Sequence, residues 1–145
     1  MAGNRRYPER PILGVGALIF RDDRILLAER GKEPLKGYWS LPGGVVEVGE
    51  TLEQAIRREV REETNLEIEI VNVLEIFERI MRDHDGRPEY HYVLIDYLCR
   101  ATTGDPEPAD DVAKVEWVRR KELSGYRITE GTPEVIEKGF DALSL

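Results

Sequence analysis

Short apolar runs alternating with two longer amphipathic segments predict an α+β or α/β sandwich for this chain of 145 residues. Three observations carry that reading. Strand-length runs recur between turn-forming clusters, a helical apolar stripe runs through Leu52, Ala55, Ile56 and Val60, and a second helical segment closes the chain. In order, Pro11–Phe20 and Ile25–Glu29 flank the polar turn Arg21-Asp22-Asp23-Arg24 and read as a hairpin. Gly31–Lys36 is a loop, and Tyr38–Leu41 and Val45–Val48 read as short strands on either side of Gly43-Gly44. A helix is expected from about Leu52 to Thr64. Leu66–Ile80 and Tyr90–Ala101 are strand-rich, joined by a turn at Asp83–Glu89. Gly104–Asp111, rich in proline and aspartate, is a loop. Lys114–Val118 is a further strand, and Thr132–Leu143 a helix with Pro133 near its first position.

The length suits one domain over residues 1–145, with no internal repeat or low-complexity tract. No apolar run is long enough to span a membrane and no secretory segment follows Met1, so a cytoplasmic protein without membrane partners is expected. The single cysteine, Cys99, lies in an apolar run; it reads as a reduced core residue and excludes an internal disulfide framework. A net charge of −8 argues against a nucleic-acid-binding module, whose affinity rests on basic patches.

The most informative segment runs from Gly43 to Leu66. From Gly44 onward it packs six glutamates and three arginines around one predicted helix. Thr51 stands as N-cap with Gln54 in the capping-box position, and Asn65 follows the helix where a left-handed cap is needed. At about 100° per residue, Glu59 and Glu63 project within about 20° of Leu52, on the inward line of the helix. Glu62 lies one turn from that line. Carboxylates on an inward line cost several kcal/mol unless a cation compensates them, and a divalent metal does so most simply. The competing reading is a solvated helix whose glutamates pair with Arg57, Arg58 and Arg61, each pair contributing a few tenths of a kcal/mol.

These residues resemble the Nudix box, Gly-x5-Glu-x7-Arg-Glu-U-x-Glu-Glu-x-Gly-U with U a bulky aliphatic. Gly44 is the first glycine, Glu50 the isolated glutamate and Arg58-Glu59 the Arg-Glu pair. Val60, Glu62-Glu63 and Leu66 fill the later positions, and Asn65 replaces the last glycine. Asparagine tolerates the same backbone conformation, so a small stability cost without loss of activity is expected. The resemblance implies the Nudix fold over essentially the whole chain, an α/β/α sandwich with a mixed sheet between helices. It also implies Mg²⁺-dependent hydrolysis, with Mn²⁺ as a substitute, of a nucleoside diphosphate linked to another moiety: ADP-ribose, another nucleotide sugar or a (d)NTP. The alternative is a nucleotide-sensing or interaction module that has kept the fold without turnover, and its mark would be a lost box carboxylate. None is lost here.

By the same resemblance, Glu59, Glu62 and Glu63 would hold the metal, with the Gly43 carbonyl and Asp111 as further ligands. Glu50 would support a metal-bound water or act near the base, and Arg58 would orient the glutamates. A small nucleotide is then the partner, and a homodimer is compatible with the family. Asp111 follows a loop stiffened by Pro106 and Pro108, with Asp110 beside it, and its competing reading is a solvated acidic turn. Tyr38 and Trp39 read as supports of the Gly-Gly turn, with lining of the substrate site as the alternative; Trp117 reads as core rather than a base-stacking platform, and His84 and His91 as bland. The stretch with Arg79, Met81 and Arg82 either binds phosphate or is a solvated charged hairpin. The proline that marks one ADP-ribose subgroup some 15 or 16 residues after the box is absent, since Met81 and Arg82 stand there.

Overall fold

The computed structural model describes residues 5–145. A seven-stranded sheet is built on the path β3-β2-β1-β6-β5, with two further strands attached to it. β1 (Ile12–Arg21) and β2 (Arg24–Arg30) form the expected hairpin, with Asp22 at φ 54 turning the chain. β3 (Trp39–Ser40) pairs with β2, and β4 (Gly43–Val45) pairs antiparallel with the first half of β1. β5 (Glu69–Arg82) and β6 (Pro88–Arg100) make a long antiparallel hairpin, and β6 lies parallel to β1. β7 (Val112–Arg119) pairs with β2.

Alternation along β1 sorts the core into two faces. Val15, Ala17 and Ile19 pack with Ala55, Ile56 and Val60 of α1 (Leu52–Thr64). Leu18 and Phe20 face the other way, against Val135, Ile136 and Phe140 of α2 (Thr132–Ala142). The sheet therefore lies between the two helices, the expected α/β/α arrangement. Cys99 is fully buried, and its thiol is pushed up to about 12 by that burial, so it is an inert core group. Among the described residues no helix is long and apolar enough to cross a membrane.

Two differences from the sequence reading have physical reasons. The fourth strand is Gly43–Val45 rather than Val45–Val48, because the Gly-Gly backbone pairs with Gly14–Gly16 of β1 while Val48 is left exposed. A 3₁₀ turn at Arg120–Gly125 follows β7 and was not expected; Glu122 accepts from the Arg119 N–H at 2.9 Å to start it.

Candidate active site

The helix that carries the carboxylates is fixed at both ends by its own sequence. Thr51 Oγ1 accepts from the Gln54 N–H at 3.1 Å, and Gln54 Oε1 accepts from the Thr51 N–H at 2.9 Å, a complete capping box. At the other end Asn65 takes φ 61, ψ 21, and its N–H reaches the Arg61 carbonyl at 2.9 Å. With both ends set, α1 turns Glu59 and Glu63 toward β4, and the Gly-Gly strand meets them there. A side chain at Gly44 would run into the Glu59 carboxylate, and one at Gly43 would collide with the Val15 carbonyl. Glycine is required at 43 by backbone contact, and at 44 it leaves the room that the Glu59 carboxylate fills.

Arg58 organises the outer carboxylates. Its Nε and Nη2 donate to the two oxygens of Glu50, at 2.6 and 2.9 Å. Nη1 donates to Glu59 at 2.7 Å and Glu62 at 3.0 Å, and Nη2 to the Val45 carbonyl at 3.1 Å. These bonds engage every donor of the guanidinium. The bidentate Arg58 bond, joined by the Glu47 N–H, holds the Glu50 carboxyl down at about 2. Glu59 is shifted upward by burial, with Arg58 opposing. The flanking arginines are not part of this cluster: Arg61 pairs with Glu67 at 2.8 Å, and Arg57 donates to the Ile68 carbonyl at 2.7 Å.

Glu63 is different. Only 8% exposed, it accepts from the Gly43 N–H at 2.9 Å and has no cationic partner among the described residues. Burial pushes its carboxyl up to about 8; the Gly43 bond opposes this, and the charges of Glu59, Asp110 and Asp111 add to it. The acidic loop reaches the cluster because it docks on the end of α1. The N–H groups of Glu107 and Ala109 donate to the carbonyls of Thr64 and Glu63, at 2.9 and 3.1 Å. Asp110, at φ 57, acts electrostatically on both Glu59 and Glu63, while Asp111 bonds Lys32 at 2.7 Å.

A cleft of about 560 Å³ runs from this cluster toward β5 and α2, within the range of small-molecule sites. It is lined by Gly43, Glu59, Glu62, Glu63, Asp110 and Asp111 at one end. Of the other sequence candidates, Arg79 lines the far end, where its Nη2 donates to the Glu130 carbonyl at 2.8 Å and the Thr132 hydroxyl at 3.2 Å. Arg82 instead bonds the Gly86 carbonyl at 3.0 Å in the hairpin turn. Trp39 is buried edge-on against Tyr126 and Tyr38 stacks under Arg127, and neither lines the cleft. Trp117 packs against the α1-side core, and His84 is exposed. The sequence reading passed over Asp96, which lines the same cleft; its signal is a single acid inside the apolar run Tyr92–Cys99.

The cluster offers oxygen donors alone, a set that suits a hard divalent cation such as Mg²⁺ or Mn²⁺. Glu63 also has no cation to balance it among the described residues. In this arrangement no three acidic, histidine or cysteine side chains among the described residues converge as a metal site, because Arg58 holds Glu59 and Glu62. The donor chemistry therefore fits a divalent ion, and binding would draw two glutamates away from the arginine.

A sandwich with this capped acidic helix against a Gly-Gly strand defines a family, and the comparisons agree. The NUDIX domain model matches residues 10–138, and the chain belongs to the Nudix family. It is 36% identical over 107 residues to an ADP-ribose pyrophosphatase of Methanocaldococcus jannaschii, covering 74% of this chain and 61% of that protein. It is 33% identical to the nucleoside triphosphatase NudI of an Enterobacter species, covering 74% and 78%. Thus the chain spans less than two thirds of the archaeal protein's length. Among solved structures, a MutT NUDIX hydrolase from Burkholderia pseudomallei superposes with TM-score 0.78 at 32% identity, covering 90% of this chain and 98% of that one. The NUDIX domain of Shewanella oneidensis NrtR, solved with ADP ribose, gives 0.75 at 25% identity, covering 93% and 90%.

Proposed function

We propose that this chain hydrolyses the pyrophosphate linkage of a nucleoside diphosphate joined to a further moiety, ADP-ribose or another nucleotide sugar, or a (d)NTP. The observation that carries the reading is the complete set of box carboxylates, with Glu59, Glu62 and Glu63 lining the cleft, Glu50, Glu59 and Glu62 held by Arg58, and Glu63 buried without a cationic partner among the described residues. The similarity to an ADP-ribose pyrophosphatase and to a nucleoside triphosphatase supports the same class of substrate.

Glu59, Glu62 and Glu63 would hold Mg²⁺, or Mn²⁺ in its place, with Asp111 and the Gly43 carbonyl as further donors. When bound, such ions neutralise phosphoryl oxygens and activate water for attack on phosphorus. The chain's own residues do the rest. Arg58 keeps the outer glutamates gathered at the cleft mouth, and its bidentate grip on Glu50 makes Glu50 a positioning residue rather than a ready proton acceptor. The Gly43 N–H fixes the Glu63 carboxylate against the strand. Gly44 lets Glu59 lie close to that strand. A net charge of −8 makes unaided polyphosphate binding unfavourable, so the cation is needed for affinity as well as for chemistry.

The test is a substrate panel of ADP-ribose, sugar nucleotides, dinucleoside polyphosphates, and normal and oxidised (d)NTPs, each with Mg²⁺ and with EDTA. The expected result is release of nucleoside monophosphate from one class, abolished by EDTA. No turnover of any member with Mg²⁺ or Mn²⁺ would overturn the reading.

A further inference from the structure

The cleft holds a carboxyl group that the box chemistry does not use. Asp96 sits on β6, 3% exposed, and its side chain lies across Gly16 of the parallel neighbour β1. A Cβ at Gly16 would collide with Asp96 Oδ1, so the glycine makes the space that the carboxyl occupies. Among the described residues none donates a hydrogen bond to it, and no sealed-off side-chain oxygen lacks a partner. Its oxygens therefore open onto the cleft that Asp96 lines.

A carboxylate kept there for structure would be bonded as Glu63 is bonded to Gly43, since an acceptor buried without donors costs more than a bonded one contributes. Burial raises Asp96 to about 6, the charge of Glu75 adds to this and that of Arg79 opposes it. Leu41, Leu94, Phe77 and Val135 give the surrounding wall an apolar surface. Arg79 completes it. Its Nη2 is tied to the turn before α2, and no donor bond from its Nε or Nη1 is made among the described residues. An acceptor and a cationic donor that act on each other electrostatically thus line the same cleft, outside the box carboxylates.

We infer that Asp96 reads a pair of adjacent N–H or O–H donors on the uncharged part of the nucleotide, with Arg79 meeting an acceptor on the same group. The inference rests on the proposed nucleotide substrate and assigns one residue of this chain that reads its uncharged part. Phosphate itself is excluded at Asp96 by like charge. Two sources offer such a donor pair, the cis-diol of a ribose and the amino–imino edge of a guanine-type base.

The test is equilibrium binding of nucleoside monophosphates in EDTA, which needs neither metal nor turnover. AMP, GMP, IMP and the 2′- and 3′-deoxy forms of AMP and GMP are titrated into the wild type, Asp96→Asn and Gly16→Ala. Gly16→Ala leaves the carboxyl chemically intact but displaces it, and so stands in should Asp96→Asn fold poorly. Both variants should bind at least tenfold more weakly than wild type wherever the donor pair is present. Where it is absent the wild type is already weak and the variants add nothing. Weak wild-type binding confined to the deoxy forms assigns the diol, and weak wild-type binding of AMP and IMP alike, with GMP retained, assigns the base edge. Equal affinities of wild type and both variants, equal losses on every ligand including inorganic pyrophosphate, or no binding by the wild type would each overturn the inference. Binding that follows this pattern without hydrolysis of any panel substrate would instead sink the proposed activity and leave the subsite standing.

Discussion

Replacing Glu63 by glutamine removes a buried titratable carboxyl while keeping an oxygen that can accept from the Gly43 N–H. The carboxyl is raised from an ordinary 4.5 to about 8, so the folded protein holds a proton that the unfolded chain has released at neutral pH. The sign follows: this group's contribution is most favourable at low pH and is lost as pH rises from about 4.5 through about 8. At pH 7 the linkage is worth at most about 3 kcal/mol, and at pH 5 less than about 1 kcal/mol, from about 1.4 kcal/mol per pH unit. Glutamine carries no such penalty, so in EDTA Glu63→Gln should be more stable than wild type by about 1–3 kcal/mol at pH 7, with a smaller gain at pH 5. Urea denaturation at the two pH values measures this directly. Mg²⁺ should raise the wild-type Tm and have little effect on the variant, because the ion stabilises only what binds it. A variant no more stable than wild type at pH 7, or a gain that does not grow with pH, would refute the reasoning.

The same geometry sets three other outcomes. Asn65→Gly should be neutral or slightly stabilising, whereas Asn65→Val should cost roughly 1 kcal/mol or more at φ 61, as thermal denaturation would show. Equal stabilities would mean that α1 does not depend on its left-handed cap. Arg58→Lys loses the bidentate hold on Glu50 and cannot span Glu50, Glu59 and Glu62 at once, so kcat should fall at least tenfold with the fold retained; a near-normal kcat would refute the hub role. Asp111→Asn should lower kcat at least tenfold, about 1.4 kcal/mol of barrier, and change the Mg²⁺ dependence; unchanged kinetics would confine the metal site to the box.

What the sequence makes legible is what local chemistry decides. Thr51, Gln54 and Asn65 bond within a few residues of themselves, so the helix from Leu52 to Thr64 could be placed to the residue. Helical spacing likewise put Glu59 and Glu63 on the inward line, with Glu62 one turn from Glu59. Contacts distant in sequence were not legible. β4 forms at Gly43–Val45 because glycine backbone pairs with glycine backbone across the sheet, against the preference of the valines that follow. That one arginine engages Glu50 as well as Glu59 and Glu62 depends on how the Gly-Gly strand brings Glu50 back over α1. Asp96 was missed for a related reason: its place in the cleft depends on Gly16, a partner in parallel register 80 residues earlier. Prolines stiffen the approach to Asp110 and Asp111, but the loop's docking on the carbonyls of Glu63 and Thr64, which is distant in sequence, is what carries it to the cluster.

Phosphorus NMR of the products, run on one preparation with Mg²⁺, with EDTA, and with Glu63→Gln in Mg²⁺, addresses the carboxylate cluster most directly. The expected spectra show a nucleoside monophosphate and the phosphorylated partner accumulating from a nucleoside diphosphate derivative in the first sample, and essentially unchanged substrate in the other two. Equal product in EDTA, or turnover by Glu63→Gln close to wild type, would contradict the assignment of these glutamates to metal-dependent pyrophosphate hydrolysis.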